Sequence, residues 1–267
     1  MQLFKYYSWI ILICLISCQT ATSTNTDKDL DPIQNAQLRA NHSSQLIAET
    51  MAHEFALPEG LDIQITSLKF KGGEHKMRDN INRFLEEIAI QNLAVFATNT
   101  PEYTNLKEAV QATIKAYKDY MHEHGDGWLD AWSIQQIYTL AYQSESLLIV
   151  EFNNYYHWEI NSLLPTKSTL FFDAQTGKNI AKEDLFKEKE KAIAFFQEAL
   201  KTQLIVQQIS PSIYEKFINN TELPFYIMYQ KDNLHCIYTT IDGIPKDLGE
   251  IYLDISLADI MHLLKYL

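Results

Sequence analysis

Two spacings of apolar residues alternate along this chain, and no other feature restricts its fold as much. Leu61, Ile63 and Ile65 recur at every second position, and Leu68 and Phe70 continue after a shift. That is a half-buried strand, with a bulge predicted near Thr66. Gly72 and Gly73 end it. Met77, Ile81, Phe84, Leu85 and Ile88 then follow at steps of three and four, which predicts a helix with one apolar face. Leu106, Val110, Ile114, Tyr117 and Met121 repeat that spacing in a second helix. Thr100, Pro101 and Glu102 are its predicted start and Gly125 its stop.

From Trp132 the spacing returns to two. Residues 133–142 and 147–156 are rich in β-branched and aromatic side chains and flank a polar turn, which predicts a hairpin. A strand over 168–172 leads into a turn over 173–178. A third helix spans about 187–207, with Ile193, Phe196, Leu200 and Leu204 as its seam. A second hairpin joins 225–229 to 234–240. Ile251, Leu253 and Ile255 make a last strand, and Ser256 with Asp259 forms a capping box for a terminal helix. The whole predicts an α+β fold. A strand–helix–helix N-terminal module over 36–130 precedes an antiparallel sheet with an inserted helix and a C-terminal helix over 131–267.

Ahead of residue 36 the chain reads as an address. Lys5 precedes an apolar run over 6–16, and Ser17-Cys18 follows. This resembles a secretory signal ending in a bacterial lipobox, with residues 1–17 removed and Cys18 acylated. The run falls short of the roughly 20 residues that a membrane-spanning helix needs. Residues 18–35, rich in Thr, Asp, Asn and Ser, read as a flexible tether. The expected place is the cell envelope, lipid-anchored at the outer membrane and facing the periplasm. Asp27, Asp29 and Asp31 stand too far behind the cysteine to form a surface-export cluster.

With 22 basic and 34 acidic residues the chain carries a net charge of −12. It repels nucleic acid, which is not an expected partner, and attracts basic proteins. Of its three cysteines, Cys14 falls in the signal and Cys18 at the anchor. Cys236 lies in a strand-like run, as a buried thiol with His235 on the opposite face, so no internal disulfide is expected.

Two clusters carry candidate chemistry. Tyr155, Tyr156, His157 and Trp158 form an aromatic run suited to sugar rings or a protein partner, although alternation sends half of such a run inward. His122 and His124 are a weak metal alternative. They lack an evident third ligand and also complement a helix dipole at its end. Thr176-Gly177-Lys178 lacks the upstream glycine of a phosphate loop and reads as a turn. No catalytic residue and no cofactor is expected.

The order of these features resembles a known family. The hairpin, then Phe172-Asp173-Ala174-Gln175-Thr176-Gly177-Lys178, then Asp184-Leu185-Phe186 and a helix, is similar to the extracytoplasmic domain of RsiV-type anti-sigma factors. The strand and the helix carrying Ile81-Asn82 resemble the module that precedes that domain and also occurs in a PdaC-type peptidoglycan deacetylase. Tyr155-Tyr156-His157-Trp158 replaces a Gly–Gly–Ala–His segment of that family, keeping only a histidine. The resemblance implies a non-catalytic binding domain for a basic protein such as lysozyme or for peptidoglycan fragments. A metal-dependent hydrolase acting on envelope polymers is the alternative. A lipid on Cys18 would anchor the domain to the membrane and excludes a direct route to a sigma factor.

Overall fold

The computed structural model describes residues 46–96, 103–124, 131–158 and 161–266. The signal, the tether and Cys18 lie outside them, as do Thr100, Pro101, Glu102 and Gly125. Within them, strands β1 (Leu46–Leu57) and β2 (Leu61–Gly72) form a hairpin. Helices α1 (His75–Ala94) and α2 (Leu106–His124) follow. Strands β3 (Trp132–Gln143), β4 (Leu147–Trp158), β5 (Asn161–Asp173) and β6 (Asn179–Ile180) complete a six-stranded sheet in sequence order. Helices α3 (Lys189–Val206) and α4 (Pro211–Tyr214) lead to a second, three-stranded sheet. Its strands are β7 (Tyr226–Gln230), β8 (Asn233–Tyr238) and β9 (Ile251–Ser256), and α5 (Leu257–Ile260) closes the fold. The architecture is α+β, as the alternating spacings predict.

Every adjacent pair in the large sheet is antiparallel except β2 and β3, which run parallel over Leu61–Thr66 and Trp132–Ile137. The two helices between them are the crossover that parallel pairing requires. Strands from both sides of the expected 130/131 boundary therefore share one sheet.

No bulge occurs at Thr66. The ladder from Leu46↔Gly72 to Leu57↔Leu61 is unbroken. The shift in parity arises because β2 parts from β3 after Thr66. Leu61, Ile63 and Ile65 pack with Val110 and Tyr117 of α2, whereas Leu68 and Phe70 pack against Met77, Ile81 and Leu85 of α1. Where β3 leaves, Asn82 takes its place: its side chain accepts from Phe70 N–H at 2.7 Å and donates to Phe70 C=O at 2.9 Å. One amide thus satisfies a strand edge that would otherwise be left unpaired in a half-buried setting.

The helices bury the faces their spacing predicts, with small residues added. Met77, Ile81, Leu85, Ala89 and Leu93 line α1, and Ala192, Phe196, Leu200 and Leu204 line α3. Each large apolar side chain buried this way contributes about 1.5–3 kcal/mol. The start of α2 differs from the prediction. Asn105 Oδ1 accepts from Glu108 N–H, and the Glu108 carboxylate reaches back to Thr104 N–H and Oγ1. This Asn-x-x-Glu pairing fixes the helix start several residues later than Thr100-Pro101 suggests. Those hydrogen bonds, that from Thr104 N–H first, hold the Glu108 carboxyl below its usual range.

Strand β4 is buried on both faces at its start. Leu147 and Ile149 enter the core shared by α3 and the second sheet, and Leu148 and Val150 enter the core under α1. Among the described residues no helix is long and apolar enough to cross a membrane.

Candidate functional site

The odd-numbered face of β4 changes character along its length. Leu147 and Ile149 are covered; Glu151, Asn153, Tyr155 and His157 follow on the same face by strand alternation. The cover ends at Glu151. There Tyr226 of β7 donates its hydroxyl to Glu151 Oε2 at 2.7 Å. Asn153 Nδ2 donates to Glu151 Oε1 at 2.8 Å, and Lys167 Nζ of β5 lies 3.4 Å from the same oxygen and 4.6 Å from the centre of the Tyr226 ring. Burial raises the Glu151 carboxyl, but the bonds from Asn153 and Tyr226 and the Lys167 charge outweigh it, so it sits below its ordinary range. Glu151 is therefore an ionised acceptor with both oxygens engaged, which joins the two sheets. Burial, and then the bond to Glu151, push the Tyr226 hydroxyl far above its usual range.

Beyond this junction no described residue covers the sheet face. Tyr155 is 42% exposed and His157 is exposed. Gln135 stands opposite Tyr155, and Ser133 opposite His157. Gln135 donates to Gln64 at 3.2 Å, and Gln64 donates to Asp62 at 2.9 Å. A row of amide, carboxylate and phenol groups thus crosses β2, β3 and β4. The sheet holds these groups at fixed spacing, which lowers the ordering cost of binding.

The aromatic run is divided by the same alternation. Tyr156 turns inward: its ring meets Phe96 at 5.2 Å, edge to face, and burial pushes its hydroxyl above the usual range. Tyr155 and His157 stay on the open face, and Trp158 is the last residue of β4. His122 and His124 occupy the last turn of α2. Two residues apart on a helix, they face different directions. The His124 ring stacks on Tyr120 at 4.3 Å between centres, and its Nδ1 lies 3.0 Å from Tyr120 C=O. Among the described residues, no group of three His, Cys, Asp or Glu side chains is placed to hold a metal ion.

Cys236 is fully buried, and burial pushes its thiol well above its usual range. Its neighbour His235 points away, to Asp254 Oδ1 at 2.7 Å. A thiol so placed is not a nucleophile.

Glu151, Asn153, Lys167, Tyr226, Gln64, Gln135 and Asp62 are not found by reading motifs. The available signal is phase. From Glu151 onward, polar residues fall on the strand positions that Leu147 and Ile149 occupy before them.

The large sheet thus lies between a helical layer and a layer holding the second, small sheet, and solved structures of a family of unknown function have a similar fold. The structure is similar to that of a DUF3298 family protein from Pseudomonas aeruginosa PAO1, at 16% identity over 84% of this chain and 96% of that one, with a TM-score of 0.54. It is similar also to a DUF3298 family member from Bacteroides fragilis NCTC 9343, at 12% identity over 84% and 95% of the two chains, with a TM-score of 0.57. These likenesses concern the fold. No protein-family model matches the sequence, and no curated protein does.

Proposed function

We propose that this chain is a lipid-anchored envelope protein that binds cell-wall glycan on the open face of its large sheet and does not catalyse. The observation that carries the reading is the exposed Tyr155 ring beside the Asp62–Gln64–Gln135 row on a rigid floor. An aromatic face packs the C–H surface of a sugar ring, and amides and carboxylates take its hydroxyls. The engaged, ionised Glu151 suits a positioning role better than proton transfer. The RsiV-like order of motifs and the module like that of the deacetylase support a wall-facing ligand.

Two experiments test the proposal. Calorimetric titration with soluble peptidoglycan fragments is expected to show saturable binding, weakened at least about tenfold by Tyr155→Ala, the loss of roughly 1.4 kcal/mol. No heat with fragments, or binding of lysozyme alone, removes glycan as the ligand. For the anchor, Cys18→Ala is expected to abolish palmitate labelling and release the protein from the membrane fraction. Persistent labelling sinks that part.

A further inference from the structure

Strand β1 ends the six-stranded sheet, and among the described residues no strand pairs with its outer side. Edge strands are normally blunted by shortness, by Lys or Pro, or by a bulge. This one has 12 residues, LIAETMAHEFAL, with Glu49 and Glu54 as its charges but no Lys, Arg or Pro, and its ladder to β2 has no register shift. Ile47 is 52% exposed and Met51 37%.

Asn82 fixes which backbone groups of β1 point outward. It occupies both the N–H and the C=O of Phe70, so the Ala48/Phe70 pair is a non-hydrogen-bonded one. The N–H and C=O of Ala48 therefore face away from β2. By alternation along the unbroken ladder, so do those of Thr50, Ala52, Glu54 and Ala56, whereas Leu46 C=O is taken by Gln143 Nε2 at 3.3 Å. The side chain of Ser67 bonding to Met51 C=O agrees, since odd carbonyls face β2. An antiparallel strand added to this edge must bond to these even residues.

We propose that β1 pairs with β1 of a second copy of this chain, antiparallel and centred on Met51. The outward even residues permit only registers in which even faces even. With Met51 on the twofold axis, Ile47 stands opposite Phe55 of the second copy and Glu49 opposite His53, each twice by symmetry. These odd residues meet in non-hydrogen-bonded pairs, where side chains approach most closely. Centring on Ala52 instead sets Glu49 against Phe55 and Met51 against His53. Centring on Thr50 sets Ile47 against His53 and Glu49 against Met51. Only the Met51 register matches apolar with apolar and carboxylate with imidazole. In it Glu49 lies between Lys71 of its own chain, 2.6 Å away, and the incoming histidine.

Sedimentation equilibrium on the full-length chain tests this, with two variants. Ala52→Pro removes an outward N–H that the β1–β2 ladder does not use, at an edge position where proline is tolerated. Met51→Asp sets two carboxylates across the axis, from a side chain already partly exposed. The unchanged chain is expected to dimerise at micromolar concentration, and each variant to weaken the dimer at least about tenfold with an unaltered circular-dichroism spectrum. If Ala52→Pro fails to fold, Met51→Asp decides. A monomeric unchanged chain overturns the proposal, as does a dimer that both variants leave intact.

Discussion

Gly177→Ala is expected to lower the stability of the fold several times more than Gly243→Ala. Both glycines have left-handed backbones, with φ of 68° and 85°. An L side chain there costs about 1–2 kcal/mol at either site. The surroundings differ. A Cβ on Gly243 meets nothing within 4 Å, whereas one on Gly177 lies 2.0 Å from Met77 C=O. Backbone cannot yield as a flexible side chain does, so the turn or the first turn of α1 must move. That turn is held tightly: Asp173 Oδ1 accepts from Gln175 and Thr176 N–H, Gly177 N–H bonds to Asp173 C=O, and Asn80 Nδ2 bonds to Thr176 C=O. Urea unfolding should show a loss of about 1 kcal/mol for Gly243→Ala and about 3–5 kcal/mol for Gly177→Ala. Equal shifts at the two sites would refute the close docking of this turn on α1.

Lys182→Met should be strongly destabilising. Lys182 Nζ donates to Leu223 C=O at 3.2 Å and to Pro224 C=O at 2.8 Å. Gln197 and Tyr238 take the two preceding carbonyls, of Thr221 and Glu222. Side chains thus hold four successive carbonyls of the segment that enters the second sheet. Burial lowers the Lys182 amine below its ordinary range even though Asp242 opposes this. Burial likewise raises the Asp242 carboxyl, against a bond from Thr239 N–H and the Lys182 charge. Methionine fills the space, strands two carbonyls and leaves Asp242 without its cation, at a cost of about 2–4 kcal/mol.

The pH dependence has a definite sign. A carboxyl with a raised folded pKa binds more protons folded than unfolded, so stability falls as pH rises above its unfolded value of 3.8 toward the folded one. Removing Lys182 raises the folded value further. The deficit of Lys182→Met relative to the unchanged chain should therefore be larger at pH 7 than near pH 4. A deficit independent of pH would separate Lys182 from Asp242.

The elements with strong periodicity are legible in the sequence. The hairpin of β3 and β4, the turn at Gly177 and the seam of α3 all follow from alternation, glycine placement and steps of three and four. Strand β1 is not legible, because only Leu46 in it is buried and an exposed edge has no apolar phase. The parity shift in β2 is visible, but two distinct partners explain it rather than an inserted residue, and a single sequence does not show partners. In the site, Tyr155 and His157 are identified by type. Their separation from Tyr156 follows from strand alternation. The junction of Glu151, Lys167 and Tyr226 joins residues up to 75 positions apart and leaves no local pattern.

The parallel contact between β2 and β3 has a kinetic consequence. Gln64 and Gln135 meet across 71 positions, and this pairing lies in the interior of the sheet. The hairpin of β1 and β2 can form early, but its inner edge must wait until β3 is available. Closing so long a loop precedes any gain from the contact, so the search for this pairing is expected to limit the rate of folding. A chain synthesised N-terminus first would hold that strand edge open while the second half emerges. This is the interval in which a chaperone would be needed most.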